Sequence, residues 1–237
     1  MTSVPEPDLG TRLAALDARI ADAARAAGRD PSELTRIVVT KFHPARLVAD
    51  LHALGVREVG ENRQQELTAK RAELAGDPTL GDLRWHFIGQ LQSKKARAVR
   101  AASDCVHSVD RDRVADALHA ADPDAGEVLD VFLQVNLTDD PARGGIAPGG
   151  VAALAEHVAA RCPSLRVRGV MAVAPLAGAP TAAFERLAAA ADAVRRVVPD
   201  AAWMSAGMSG DFAEAIAAGA THLRIGTAIT GPRPDRG

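Results

Sequence analysis

The stretch "RIVVTKFHPARL" (residues 36–47) sets the reading of the whole chain. A short apolar run, Ile37 to Val39, closes on Thr40 and Lys41, and a helical stretch follows. In an open doubly wound sheet, the turn after the first strand would carry a glycine-rich dinucleotide loop. The segment "TKFHPARL" contains no glycine, which disfavours that architecture.

The same rhythm continues outward from this point. Seven more apolar runs follow: "REVGEN" (57–62), "RWHFIG" (84–89), "CVHSVD" (105–110), "VLDVFLQVNL" (128–137), "VRGVMAVA" (167–174), "AAWMSAG" (201–207) and "HLRIGTAI" (222–229). The segments between them read as helices, most clearly 181–198, where Phe184, Leu187, Ala191, Val194 and Val198 form one stripe. Eight right-handed βα units in about 200 residues predict an α/β fold, a single-domain (β/α)8 TIM barrel, with an open sheet as the alternative. Upstream, Leu9, Leu13, Leu16 and Ile20 recur at helical spacing as far as Gly28, which predicts an extra lead-in helix over 9–28. The barrel domain is placed at 9–233, between a flexible N-terminus at 1–8 and a C-terminal tail at 234–237.

Composition narrows the function. Apolar residues make up 47% of the 237, charged residues 24%, and the formal net charge is -2. Nothing here favours nucleic acid or an anionic membrane. Cys105 and Cys162 fit neither a disulfide framework nor a zinc spacing, so no metal site is expected and a reducing cytoplasm is the simplest compartment. The N-terminal segment lacks the features of a signal peptide, and no apolar run is long enough to span a bilayer. The sequence has no tyrosine, which removes the phenol as an acid, base or stacking partner.

In such a barrel, chemistry sits at the C-terminal ends of the strands. Lys41 shares a face with Ile37 and Val39. If that face is the interior, the amine stands over an apolar floor and is suited to Schiff-base formation; otherwise it is a rim lysine in solvent. Strand seven ends in "SAGMSGD" and strand eight in "RIGTA", and this pair of ends commonly holds a phosphate in such barrels. Ser205 offers a hydroxyl, Gly207 and Gly226 allow close backbone approach, and the amides of Gly226 and Thr227 can face an anion. Asp211 and Glu214 have the spacing of a capping box. Arg224 lies on the face of Gly226. An inward guanidinium needs an acceptor, either a carboxylate or a ring nitrogen of a ligand. Asn62 is read as a ligand contact or a helix cap, and His86 as a core residue or a proton carrier. Met171 is read as interior packing, and Lys94, Lys95, Arg97 and Arg100 as a basic helix face.

Taken together, Lys41, Asn62, "WHFIGQLQSKK", "HSVD", "GVMAVAP", "SAGMSGD" and "RIGTAITG" resemble the pyridoxal phosphate homeostasis family, also called the alanine racemase N-terminal-domain-like proteins, over residues 10–233. The resemblance implies a barrel that binds pyridoxal 5'-phosphate (PLP) as an internal aldimine. It implies a role in buffering or delivering PLP, with PLP-dependent apoenzymes as partners, a monomeric state and no robust catalysis of its own. Lys41 looks like the Schiff-base lysine and Arg224 like the partner of the pyridine nitrogen. Ser205, Gly226, Thr227 and Ser209 look like phosphate ligands, and Asn62 lies in the "GEN" motif beside the cofactor. "TKFHP" and "LQSKK" depart from the commonest family wording, so secondary lysine roles do not transfer. The alternative is a PLP-dependent amino-acid racemase. The related racemases look as though they need a tyrosine from a second domain, and this chain has no tyrosine.

Overall fold

The computed structural model describes residues 8–122, 126, 128–138, 140–175 and 178–232. The chain opens with α1 (Leu9–Ala26) and then alternates β1 (Thr35–Val39), α2 (Ala45–Ala53), β2 (Glu58–Glu61), α3 (Gln64–Leu74), β3 (Arg84–Phe87) and α4 (Ala96–Ala102). It continues through β4 (Cys105–Val109), α5 (Asp112–Ala121), β5 (Leu129–Gln134), α6 (Val151–Arg161), β6 (Leu165–Met171) and α7 (Pro180–Val197). The last elements are β7 (Trp203–Ser205), α8 (Phe212–Ala217), β8 (His222–Ile225) and α9 (Thr227–Thr230). The strands pair in parallel in chain order, and β1 closes on β8 with Ile37 opposite Arg224 and Val38 opposite Ile225. This is the (β/α)8 barrel, and the open sheet is set aside.

The boundaries differ from the sequence reading in three ways. The strands are shorter than the apolar runs, and the end of the eighth run turns into α9, because Gly226 breaks the strand and Thr227–Thr230 closes a helical turn. Asp8, assigned to the flexible N-terminus, is ordered and caps α1 by accepting from the Thr11 N–H at 2.8 Å. The rest of that segment and the tail at 234–237 lie outside the described residues. The proposed capping box is absent. Asp211 precedes α8 without capping it, and its carboxylate instead accepts from the Met208 N–H at 2.6 Å, tightening the loop after β7.

Alternation along each strand sends one set of side chains outward to the helices and the other into the barrel. Val38, Val59, Val106, Val131 and Leu223 belong to the outer layer, packed under helix stripes such as Phe184, Leu187 and Val194 of α7. A separate cluster of Cys105, Phe132 and Met171, with Trp203 against it, fills the interior, so Met171 is interior packing as expected. Among the described residues, no helix is long and apolar enough to cross a membrane.

The ends of β1 and β2 are fastened by a buried ion pair. Lys70 of α3 reaches inward to donate to Glu61 Oε1 at 2.5 Å and to the Thr40 carbonyl at 2.8 Å, while the Thr40 hydroxyl donates to the same carboxylate at 2.6 Å. Burial pushes the Glu61 carboxyl above its ordinary value, and the Lys70 ammonium opposes that shift. Lys70→Met therefore strands a buried carboxylate and is expected to lower unfolding stability by about 3–5 kcal/mol in urea titration. Adding Glu61→Gln should return part of that loss, because the neutral amide no longer needs the ammonium.

Candidate functional site

Four strand ends meet at the C-terminal mouth. Lys41 lies two residues beyond β1, half-buried. The turn that follows is sharp. Phe42 takes a left-handed φ of 68°, its N–H donates to Glu66 Oε2 at 2.8 Å, and the Arg63 guanidinium lies over its ring at 4.7 Å. Asn62 directly follows β2, and its Oδ1 is buried with no hydrogen-bond partner among the described residues. Its backbone is gripped by Gly89. A Cβ on Gly89 would come within 1.9 Å of the Asn62 carbonyl oxygen, so no larger residue fits there.

The loops after β7 and β8 run side by side. The Arg224 N–H donates to the Gly207 carbonyl at 2.9 Å, and Gly207 takes φ 90°, where a Cβ would come within 2.9 Å of Ala215 Cβ and 3.0 Å of Phe212 Cα. Ser209 stands half-buried beyond it, and Gly226 and Thr227 stand beyond Arg224. Among the described residues, no acceptor is found for the main-chain N–H groups of Ser209, Gly210, Gly226, Thr227 or Ala228. A Cβ at Gly226 would meet only Val39, at 3.7 Å, so open space lies in front of this pair of loops. Two adjoining loops thus present main-chain amides that are open to solvent and suited to an anion.

Arg224 is buried, and among the described residues no carboxylate pairs with it. Its Nη1 donates to Ser205 Oγ at 2.6 Å and its Nη2 to the Ala172 carbonyl at 2.7 Å. Burial lowers its pKa to about 10 against the opposing pull of the Asp211 carboxylate, so it stays charged at neutral pH. Two of its five N–H groups are thus held by neutral oxygens. The sequence reading placed Ser205 among the anion ligands. The structure places its hydroxyl at the bottom of the site, fully buried between Arg224 and His107 Nδ1, the latter at 2.9 Å.

Of two other residues, His86 meets its core reading and Arg100 departs from the face assigned to it. His86 is a buried interior residue, with Nε2 2.5 Å from Glu58 Oε2 and Nδ1 2.8 Å from His107 Nε2. Arg100 is not part of a solvated basic face. It turns inward to the Ser164 and Leu118 carbonyls and to Asp122, while Lys94 and Arg97 remain exposed. Sequence reasoning missed His107 and Glu58 as members of the interior network. The available signal was parity: in "CVHSVD", His107 falls on the face opposite Val106.

These features define a single-domain parallel barrel whose C-terminal mouth combines a lysine, a buried arginine that makes no direct ion pair among the described residues, and two adjoining loops with open main-chain amides. The family model described as "Alanine racemase, N-terminal domain" matches residues 11–234. The pyridoxal phosphate homeostasis protein of Pseudomonas aeruginosa is 42% identical over 229 residues, covering 95% of this chain and 96% of that one. The protein of the same name from Mycobacterium tuberculosis is 40% identical over 243 residues, covering 96% and 94%. The solved structure of PipY from Synechococcus elongatus, with PLP bound, is 34% identical with a TM-score of 0.82, covering 94% of this chain and 100% of that one. The chain therefore belongs to the alanine racemase N-terminal-domain family and, within it, to the pyridoxal phosphate homeostasis proteins.

The interior histidines make stability depend on pH. Burial holds His222 down at about 3 and His107 well below its ordinary value. In the unfolded chain both regain a pKa of about 6.5, so between that value and the folded one the unfolded state binds more protons. Stability is full above this window and falls as pH drops through it, by about 1.4 kcal/mol per pH unit for each histidine. Chemical denaturation at pH 7, 6 and 5 should show this slope, and His222→Phe should flatten it.

Proposed function

We propose that the chain binds PLP at the C-terminal mouth and serves as a PLP homeostasis protein, holding the cofactor for buffering or delivery to PLP-dependent apoenzymes. The observation that carries this reading is Arg224: a buried guanidinium with no carboxylate partner among the described residues and with donors to spare. The open space before Gly226, the unsatisfied amides around it and the orphaned Asn62 Oδ1 fit a planar ligand with an anionic tail.

When bound, PLP would supply a reactive aldehyde, and Lys41 would supply the amine that holds it. Ser209, Gly226 and Thr227 would hold the phosphate through hydroxyl and main-chain donors, and Asn62 would stand beside the ring. Arg224 would face the pyridine nitrogen. As it can only donate, it would engage the nitrogen's lone pair without delivering a proton, which would leave the ring a weak electron sink. We place Ser205 behind Arg224 rather than on the phosphate, because its hydroxyl is already held at the bottom of the site.

The same residues argue against a racemase. Two-base chemistry needs an acid/base group on each face of the substrate, and the chain has no tyrosine. His86 does not replace it, since both its ring nitrogens are engaged with Glu58 and His107 beneath the site.

Purified protein incubated with PLP is expected to show the cofactor's absorbance band, and borohydride reduction followed by peptide mapping should place a pyridoxyl group on Lys41. Lys41→Ala should abolish both signals. Arg224→Ala should weaken PLP binding by about 10- to 100-fold, from the loss of a charged hydrogen bond, while Lys94→Ala leaves it unchanged. Sustained conversion of an L-amino acid to its D form, abolished by Lys41→Ala, would establish the racemase instead.

A further inference from the structure

A chain of polar side chains crosses the inside of the barrel from the N-terminal mouth to the floor of the site. Glu58 Oε2 lies 2.5 Å from His86 Nε2, His86 Nδ1 2.8 Å from His107 Nε2, His107 Nδ1 2.9 Å from Ser205 Oγ, and Arg224 Nη1 2.6 Å from that same oxygen. Only Glu58 touches solvent appreciably, with its side chain 21% exposed. His86, His107, Ser205 and Arg224 are all buried.

The two ends restrict where the protons lie. Arg224 can only donate, a carboxylate can only accept, and a neutral imidazole carries one N–H and one bare nitrogen. With both rings neutral, a single arrangement gives every contact one hydrogen. His86 donates from Nε2 to Glu58, His107 donates from Nε2 to His86 Nδ1, and Ser205 turns its O–H to His107 Nδ1. Ser205 then offers only lone pairs to Arg224. With His86 as an imidazolium, the inner links reverse: His107 donates from Nδ1 to Ser205, and the serine hydrogen has no acceptor among the described residues. An unpaired buried donor costs roughly 1–3 kcal/mol. A second cation inside the same barrel adds repulsion with Arg224. Burial also keeps His107 neutral.

We infer that Glu58, His86, His107 and Ser205 form a hydrogen-bond chain of one polarity, both imidazoles neutral and protonated on Nε2, that positions the Arg224 guanidinium from inside the barrel. These are positioning residues, acting on a ligand only through Arg224. A carboxylate touching Arg224 would compete with any ligand for its donors. The chain leaves the first contact to a neutral hydroxyl and keeps the anion three hydrogen bonds further back. The link to ligand binding rests on the PLP reading given above; the proton order does not.

Proton–nitrogen correlation NMR of the histidine rings, on the ligand-free protein at pH 7, tests the order. Protonated Nε2 and bare Nδ1 on both His86 and His107 are expected. An imidazolium at His86, or a proton on His107 Nδ1, overturns the assignment. The positioning role is tested by PLP titration. Ser205→Ala is expected to raise the dissociation constant about tenfold, the usual scale for losing one hydrogen bond to a charged group, and Ser205→Thr, which keeps the hydroxyl, to restore it. If Ser205→Ala does not fold, His107→Leu removes the next link and should also weaken binding. Unchanged affinity in a folded variant of either kind overturns the role. A wild-type protein that takes up no PLP refutes the cofactor reading, while the ring spectrum still decides the proton order.

Discussion

Arg224 carries a positive charge into the middle of a barrel, and the protein meets it with neutral oxygens, Ser205 Oγ and the Ala172 carbonyl. A buried charge without an ion in direct contact costs several kcal/mol unless its hydrogen bonds are well made, and here the Asp211 carboxylate acts only from a distance. The surroundings answer to that demand. β6 must deliver a carbonyl, β7 a hydroxyl and β8 the guanidinium at matching heights, so the registers Met171 with Ser205 and Ser205 with His222 are tied to one side chain. Where most barrels of this kind fill the interior with branched apolar side chains, this one gives up positions on β3, β4 and β7 to His86, His107 and Ser205.

A second buried charge is treated in the opposite way. Lys70 and Glu61 sit in direct contact behind the ends of β1 and β2, and the Thr40 hydroxyl and carbonyl complete the set. Here the ions neutralise one another, and the product is geometric. Thr40 is pinned on both its polar groups, so the peptide that leads into Lys41 is anchored from behind. One ion pair is consumed in building the site, whereas the Arg224 charge is kept available within it.

Much of this was legible in the sequence. The polar residues closing each apolar run gave Lys41, Asn62 and Arg224, and parity alone turned Arg224 inward. Height along the barrel axis was not legible. Ser205 and Ser209 lie four residues apart in one motif, and only the strand tilt and stagger show that the first is at the floor and the second at the rim. Arg100 misled for a similar reason: its helical spacing with Lys94 and Arg97 suggested one solvated face, but the space under α4 accepts a long cation where the Ser164 and Leu118 carbonyls need a donor. The interior chain from Glu58 to Ser205 joins residues from four strands, so no local pattern in the sequence could announce it.

The barrel closes by pairing β1 with β8, and Arg12 of α1 donates to the Ile229 carbonyl at 2.7 Å, so the first helix also latches the last turn. Lys41 emerges early in synthesis; the arginine and the loops that follow β7 and β8 emerge almost at the end. A nascent polypeptide on the ribosome therefore presents Lys41 before β7, β8 and their loops have been made. The mouth that joins Lys41 and Asn62 to Arg224 is complete only after the eighth strand has been made and has paired with β1.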